Sequence, residues 1–156
     1  VHARPLPAGR DQPGPVSSSP KHLALVPVVA VDGPAQRALE YAARLAQQVL
    51  AVHVRQAGDG PGREFEATWA TRLPAVPLMI VDGSAGDWER SFLEAIDSLR
   101  RTGEADLITV VFPPSACARQ AASTRPASAA MGLRMALRRR PGVVVWSLPS
   151  SDPSAD

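Results

Sequence analysis

Apolar runs alternate with amphipathic segments along most of this chain. Leu23–Val29 and Leu107–Phe112 are almost continuously apolar, which is typical of strands covered on both faces. Between such runs, apolar residues recur every three or four positions, the spacing of helices with one buried side. We therefore predict five strands separated by single helices. The predicted strands are Leu23–Val29, Leu50–Val54, Leu78–Val81, Leu107–Phe112 and Val143–Leu148.

The predicted helices have recognisable ends. Asp32-Gly33-Pro34 combines a capping residue with a proline in the first turn, and predicts the start of a helix with apolar positions as far as Val49. Single helices between strands imply parallel pairing through right-handed crossovers. The predicted fold is therefore α/β, a doubly wound five-stranded parallel sheet. The other predicted helices lie around Phe65–Leu73, Trp88–Leu99 and Ala127–Arg140, the last ended by Pro141-Gly142.

Composition divides the chain into three parts. Residues 1–20 are rich in proline, glycine and serine and are predicted to be a flexible linker. Residues 21–149 are predicted to form one domain of ordinary size, and residues 150–156 a disordered tail. The chain begins with Val1 rather than methionine, so we interpret it as a fragment or a processed chain. No stretch has the apolar core of a signal peptide or the roughly 20 apolar residues of a membrane span.

The charge pattern argues against a nucleic-acid partner. The formal net charge is +2, and Lys21 is the only lysine among 17 basic residues. The one basic run, Arg138–Arg140, falls at a predicted helix end, where cations interact favourably with the helix dipole. It lacks the interleaved aromatic residues of single-strand binding sites. Cys117 is the single cysteine, which excludes a disulfide within one chain and favours a reducing, cytoplasmic location.

No group of residues suggests catalysis or metal binding. His53 lies on a predicted strand, where a core or rim histidine is the favoured interpretation. Asp82 and Asp87 flank a helix start and are interpreted as caps rather than as an acid/base pair. Ser115 and Cys117 have no neighbouring base, and no cluster has metal-ligand spacing. We therefore predict that the chain is not an enzyme and holds no metal or cofactor.

Several short motifs resemble universal stress protein domains. Val26-Pro27-Val28 followed by Arg37–Ala42 resembles the opening of those domains, Leu50–Val54 resembles their second strand, and Asp106–Ile108 the start of their fourth. The resemblance implies the strand order 3-2-1-4-5. Members that bind ATP carry an aspartate after the first strand and a glycine-rich stretch after the fourth. Val29 and Phe112-Pro113-Pro114 stand at those places, which argues against ATP binding in the usual manner of the family.

A closer resemblance is to the stress-protein-like C-terminal domain of amino-acid-permease-type (APC superfamily) transporters, potassium importers among them. Asp106–Val111, Arg140–Val145 and the segment from Trp69 to Leu78 carry it, and in that subgroup the fourth strand also runs into proline. The resemblance implies a transmembrane transporter part preceding Val1 and a location on the cytosolic face of the membrane. It also implies binding of cyclic di-AMP by paired domains.

The candidate binding site follows from the fold. In a doubly wound sheet, ligands bind at the carboxyl ends of the strands where the winding direction reverses, here between the first and fourth strands. The helix start near Thr124–Ala129 would offer free N–H groups, and Arg125 a positive charge, to an anion. Arg125 is equally compatible with a solvated loop. The candidate residues are Pro27, Val28, Val29, Val31, Asp32, Val54, Val111, Phe112, Pro113, Arg125, Ser128 and Ala129.

These observations favour a regulatory nucleotide-binding domain of a transporter. The expected ligand is an adenine nucleotide, with cyclic di-AMP ahead of ATP or AMP. The alternatives are an ATP-binding stress protein with weak hydrolase activity, and a ligand-free dimerisation module. Val143–Leu148 is an apolar edge strand in the expected order, so a homodimer is predicted.

Overall fold

The computed structural model describes residues 19–55, 63–83, 88–114 and 128–149. Most of the predicted linker and the predicted tail fall in the remaining residues, so those boundaries stay predictions. Strands and helices alternate along the described segments. They are β1 His22–Pro27, α1 Gly33–Leu45, β2 Gln48–Arg55, α2 Arg63–Arg72, β3 Leu78–Asp82, α3 Trp88–Arg101, β4 Leu107–Phe112, α4 Ser128–Arg138 and β5 Val143–Ser147.

The five strands form one parallel sheet in the order β3-β2-β1-β4-β5. Strand β1 lies at the centre, where Leu25 is in register with Leu50 of β2 and Val110 of β4. The winding direction reverses between β1 and β4. The doubly wound α/β fold and the strand order expected from the sequence are confirmed.

Helices cover both faces of the sheet. Helices α1 and α2 pack on one face, called here the α1 face, and α3 and α4 pack on the opposite α3 face. In β1, Leu23 and Leu25 join the core on the α3 face, whereas Ala24 and Val26 join the core on the α1 face. Both faces of β1 are buried, so apolar and polar residues do not alternate along it. This explains the continuous apolar run in the sequence.

The predicted ends of α1 and β1 were wrong, and in both cases contacts made by β2 explain the difference. Helix α1 ends at Leu45 rather than Val49, since Gln48 is already paired with Leu23 of β1. Strand β1 ends at Pro27 rather than Val29. The N–H of Val28 still donates to Val52, but its carbonyl accepts from the His53 ring, and the chain then turns away. The predicted cap of α1 is confirmed, because the Asp32 side chain accepts from the Ala35 N–H at 2.9 Å.

The end of α4 is fixed by Arg140. Its Nε and Nη2 donate to the two carboxylate oxygens of Asp97 on α3, at 2.8 and 3.0 Å. Its Nη1 donates to the carbonyl of Ala136 in the last turn of α4, so Arg140 has the structural role expected at a helix end. Gly142 follows with φ +74°, and a Cβ there would lie 3.0 Å from the carbonyl oxygen of Asp106. The predicted Pro141-Gly142 terminator is confirmed.

Asp97→Asn should destabilise the domain by about 0.2–1 kcal/mol at pH 7, the range of partly exposed ion pairs. The hydrogen bond from Arg140 holds the pKa of Asp97 below its ordinary value. A lowered folded-state pKa means that the stabilisation is present above about pH 4 and is lost as pH falls through the lowered value. Urea unfolding should therefore show a larger difference between variant and wild type at pH 7 than at about pH 3.

Glu94→Gln is the matched control for this prediction, because Glu94 lies on the same helix and is exposed. It should leave stability nearly unchanged at both pH values. An Asp97→Asn deficit that persists undiminished at low pH would contradict an ionic origin.

Candidate functional site

The turn between β1 and α1 forms one wall of the expected site. Val28 is buried, whereas Val29 is 36% exposed where the chain leaves the sheet. Asp32 is half-buried, and its carboxylate caps α1. The turn thus presents mostly apolar side chains, and its carboxylate has a structural task.

A buried histidine holds this turn in place. His53 on β2 is 8% exposed, and its Nδ1 donates to the carbonyl of Val28 at 2.9 Å. A carbonyl can only accept, so Nδ1 carries the proton. The His53 ring stacks on Phe65 of α2 at 4.0 Å, and Phe65 stacks on Trp69 at 6.0 Å. The core or rim placement expected for His53 is confirmed, but sequence reasoning missed its contact with the candidate site.

The end of β4 forms the opposite wall and offers few donors. Val111, Phe112 and Pro113 are buried, and the Phe112 carbonyl accepts from the Leu148 N–H at 3.1 Å. Proline has no N–H, so Pro113 and Pro114 have none to offer a phosphate. The Arg134 guanidinium of α4 lies over the Phe112 ring, 5.9 Å from its centroid. Among the described residues, Arg134 thus places a positive charge close to the carboxyl end of β4. It was not among the site residues predicted from the sequence.

The sheet separates the predicted site residues into two groups. Val28, Val31 and Val111 pack on the α1 face. Pro27 is buried at the end of β1, and alternation along the strand turns it toward the opposite face. Val54 and Phe112 pack on the α3 face. A ligand bound at this end of the sheet would have to reach over the ends of the strands to contact both groups. The structure therefore does not gather these side chains into one lining.

The remaining candidates come from the segment before α4 and its first turn. Arg125 falls outside the described residues. Ser128 and Ala129 are the first two residues of α4. Because β4 and β5 are parallel, α4 must begin at the carboxyl end of the sheet and run back toward the amino end. The N–H groups of its first turn therefore lie at the same end as the β1–α1 turn.

The prediction that Asp82 caps a helix was wrong. Asp82 is the last residue of β3, six positions before α3 begins, and its carboxylate pairs with Arg55 of β2. The parallel register places Arg55 opposite Asp82, which explains the pair. Asp87 is outside the described segments. Within those segments no three His, Cys, Asp or Glu side chains form a group suited to a metal ion.

Strand β5 leaves an apolar edge. Val144 and Trp146 are 47% and 49% exposed, and alternation with the buried Val143 places them on the α1 side of the sheet. The Trp146 ring stacks on Tyr41 of α1 with centroids 6.0 Å apart. This is the most exposed large apolar surface on a described strand, at the edge where a partner strand was expected.

The chain matches the model of a known protein family over most of its length. The family described as the C-terminal domain of the KimA potassium transporter matches residues 20–150, which is well over half of the chain. Comparison with curated proteins finds none that matches. Among the described helices, none combines the length and apolarity needed to cross a membrane.

Proposed function

The chain belongs to the family of the KimA potassium transporter C-terminal domain, and on that premise we propose that it is the cytosolic regulatory domain of an APC-type potassium transporter. The match over residues 20–150 is the observation that carries this proposal. A regulatory role requires the domain to bind a ligand and to respond with a movement. It requires no covalent bond to be made or broken. A transmembrane part would precede the domain in the full-length protein.

We further propose that the domain senses an adenine nucleotide, with cyclic di-AMP as the leading ligand. Support comes from the reversal of winding between β1 and β4, the usual place for a ligand in doubly wound sheets. The apolar strand ends suit a base, and the first turn of α4 with Arg125 would bind the phosphate. The stress-protein likeness seen in the sequence points to the same end of the sheet.

Two alternatives remain testable against this proposal. An ATP-hydrolysing stress protein would need donors around the phosphates, which Pro113 does not supply. A ligand-free dimerisation module would need only the β5 edge. The exposed Val144 and Trp146 favour a dimer under either the sensing or the assembly role.

Titration calorimetry with cyclic di-AMP, AMP and Mg-ATP should separate the three roles. We expect heat of binding with cyclic di-AMP and little or none with ATP, because Pro113 and Pro114 have no backbone N–H to donate. Tight Mg-ATP binding accompanied by phosphate release would replace the sensing role by the enzymatic one. No heat of binding with any of the nucleotides would favour the ligand-free dimerisation module.

Arg125→Ala should weaken cyclic di-AMP binding by about 1.5–3 kcal/mol, the range for hydrogen bonds to charged groups. The reason is that Pro113 and Pro114 offer no N–H, which leaves the phosphate to the positive helix start at Thr124–Ala129, where Arg125 lies. The loss should shrink at high salt if the contact is exposed to solvent. Calorimetry at two salt concentrations measures both effects.

Arg138→Ala is the control for this substitution, because Arg138 is an exposed arginine at the far end of α4. It should bind as wild type does. If Arg125→Ala binds normally while Arg138→Ala fails, the phosphate lies at the other end of the helix and this placement is wrong.

A further inference from the structure

Strand β3 has an open edge whose free backbone groups can be assigned. The carbonyl of Pro77 accepts from Ala51 at 3.0 Å, and the N–H of Gly83 donates to Arg55 at 2.9 Å. Odd-numbered residues therefore direct their backbone groups toward β2. By alternation, the N–H and C=O groups of Leu78, Ile80 and Asp82 point away from the sheet. Among the described strands, β3 pairs with β2 alone.

A groove of about 450 Å³ runs beside this edge, between β3 and α3. Its floor is apolar, since Met79 and Val81 pack against the core on the α3 face. The groove and the open backbone edge are adjacent and parallel. Together they match the two needs of an added strand, which are backbone partners and a surface for alternate side chains.

The rim of the groove is acidic. Asp82 lies at the carboxyl end of β3, Glu94 lies along α3, and Glu104 follows α3 near the amino ends of the strands. Asp82 is already paired with Arg55. Glu94 and Glu104 are exposed, and neither carboxylate has an ion-pair partner among the described residues. No lysine or arginine lines the groove within the described part of the chain.

We propose that this groove binds an extended segment rich in lysine or arginine, contributed by a loop of the transporter's own membrane part, which adds a strand to β3. The inference rests on the proposed role as a transporter domain. Cytosolic loops of membrane proteins carry an excess of lysine and arginine, so they have the charge that the acidic rim requires. The contact would give the regulatory domain a direct mechanical connection to the spans that it controls.

The first experiment uses the 156-residue chain and fluorescein-labelled peptides. A capped (Val-Lys)4 peptide should raise fluorescence anisotropy in a saturable way, whereas (Val-Glu)4 should not. Ile80→Pro removes the outward N–H of β3 but none of the bonds to β2, and should weaken (Val-Lys)4 binding at least tenfold. Equal binding of the two peptides, no binding of either, or unchanged affinity of a folded Ile80→Pro variant would overturn the proposal.

A second variant tests the charge without altering the backbone. Glu94→Gln combined with Glu104→Gln keeps the size of both side chains and should weaken (Val-Lys)4 binding several-fold at low salt, with little effect at high salt. An affinity that matches wild type at low salt would contradict the acidic rim as the source of selectivity. This readout stands even if Ile80→Pro fails to fold.

The source of the segment is tested in the full-length transporter in membranes. Ile80 is replaced by the photoreactive benzoylphenylalanine, and cross-linked peptides are identified by mass spectrometry. A cross-link to a Lys/Arg-rich loop between spans supports the proposal, and one to a second β3 or to a separate protein overturns it. Nucleotide calorimetry is independent of both readouts, so the sensing role and this contact can fail separately. A full-length product without spans would refute the transporter role itself.

Discussion

His53→Phe is expected to lower the free energy of unfolding by about 1–3 kcal/mol and to loosen the turn after β1. His53 is buried and donates to the carbonyl of Val28, while its ring stacks on Phe65. Phenylalanine keeps an aromatic ring but has no donor, so the carbonyl loses its side-chain partner. Urea unfolding measures the loss of stability, and hydrogen exchange at the amides of Val29–Asp32 measures the loosening.

His53→Asn separates the hydrogen bond from the ring. An asparagine amide can place a donor near the position of Nδ1, but it loses the stacking on Phe65. We expect a loss of stability with exchange in the turn close to that of wild type. If the two variants speed exchange equally, or neither does, the bond to Val28 is not what holds this wall of the site.

Val145→Pro is expected to convert the proposed homodimer into monomers at micromolar concentration. In β5 the carbonyl of Gly142 and the N–H of Leu148 bind β4, at 2.8 and 3.1 Å. By alternation, the N–H of Val145 points to the open edge. Proline there removes a donor that a partner strand needs and leaves the β4–β5 pairing intact. Light scattering should give twice the 16.5 kDa chain mass for wild type and the single mass for the variant.

Ile80→Pro is the control, because it makes the same change at the opposite edge of the sheet. It should leave the dimer unaffected. A dimer that survives Val145→Pro but dissociates with Ile80→Pro would place the interface at β3. A wild-type chain that stays monomeric at high concentration would remove the dimer from the proposal.

Local patterns predicted most of the fold. Strand β4 spans Leu107–Phe112, as its apolar run indicated, and Asp32 caps α1 as its place before Gly33-Pro34 suggested. Such features depend on neighbours in the chain. The end of α1 could not be predicted in this way, since the pairing of Gln48 with Leu23 overrides a helical spacing that continues to Val49. A boundary set by a distant strand leaves no mark in the local sequence.

The candidate site was less predictable for the same reason. The contact between His53 and Val28 depends on the register of β1 and β2, and the pair of Arg55 with Asp82 on that of β2 and β3. Alternation along a strand is visible in the sequence, so the assignment of Val111 and Phe112 to opposite faces could have been foreseen. Which of the two faces each residue occupies could be assigned only from the helices packed on the sheet.

The central position of β1 has a consequence for how the domain is made. Strand β1 pairs with β4, and just before the two strands the N–H of Asp106 donates to the carbonyl of Lys21, 85 residues away, at 2.9 Å. At about 5–20 residues per second, a ribosome needs roughly 4–17 s to synthesise the residues between them. During that interval β1, β2 and β3 can associate, but the apolar edge of β1 has no strand to pair with. The central strand of the folded domain thus remains unpaired on one side until β4 has been synthesised. We expect chaperones to bind the nascent chain at this edge.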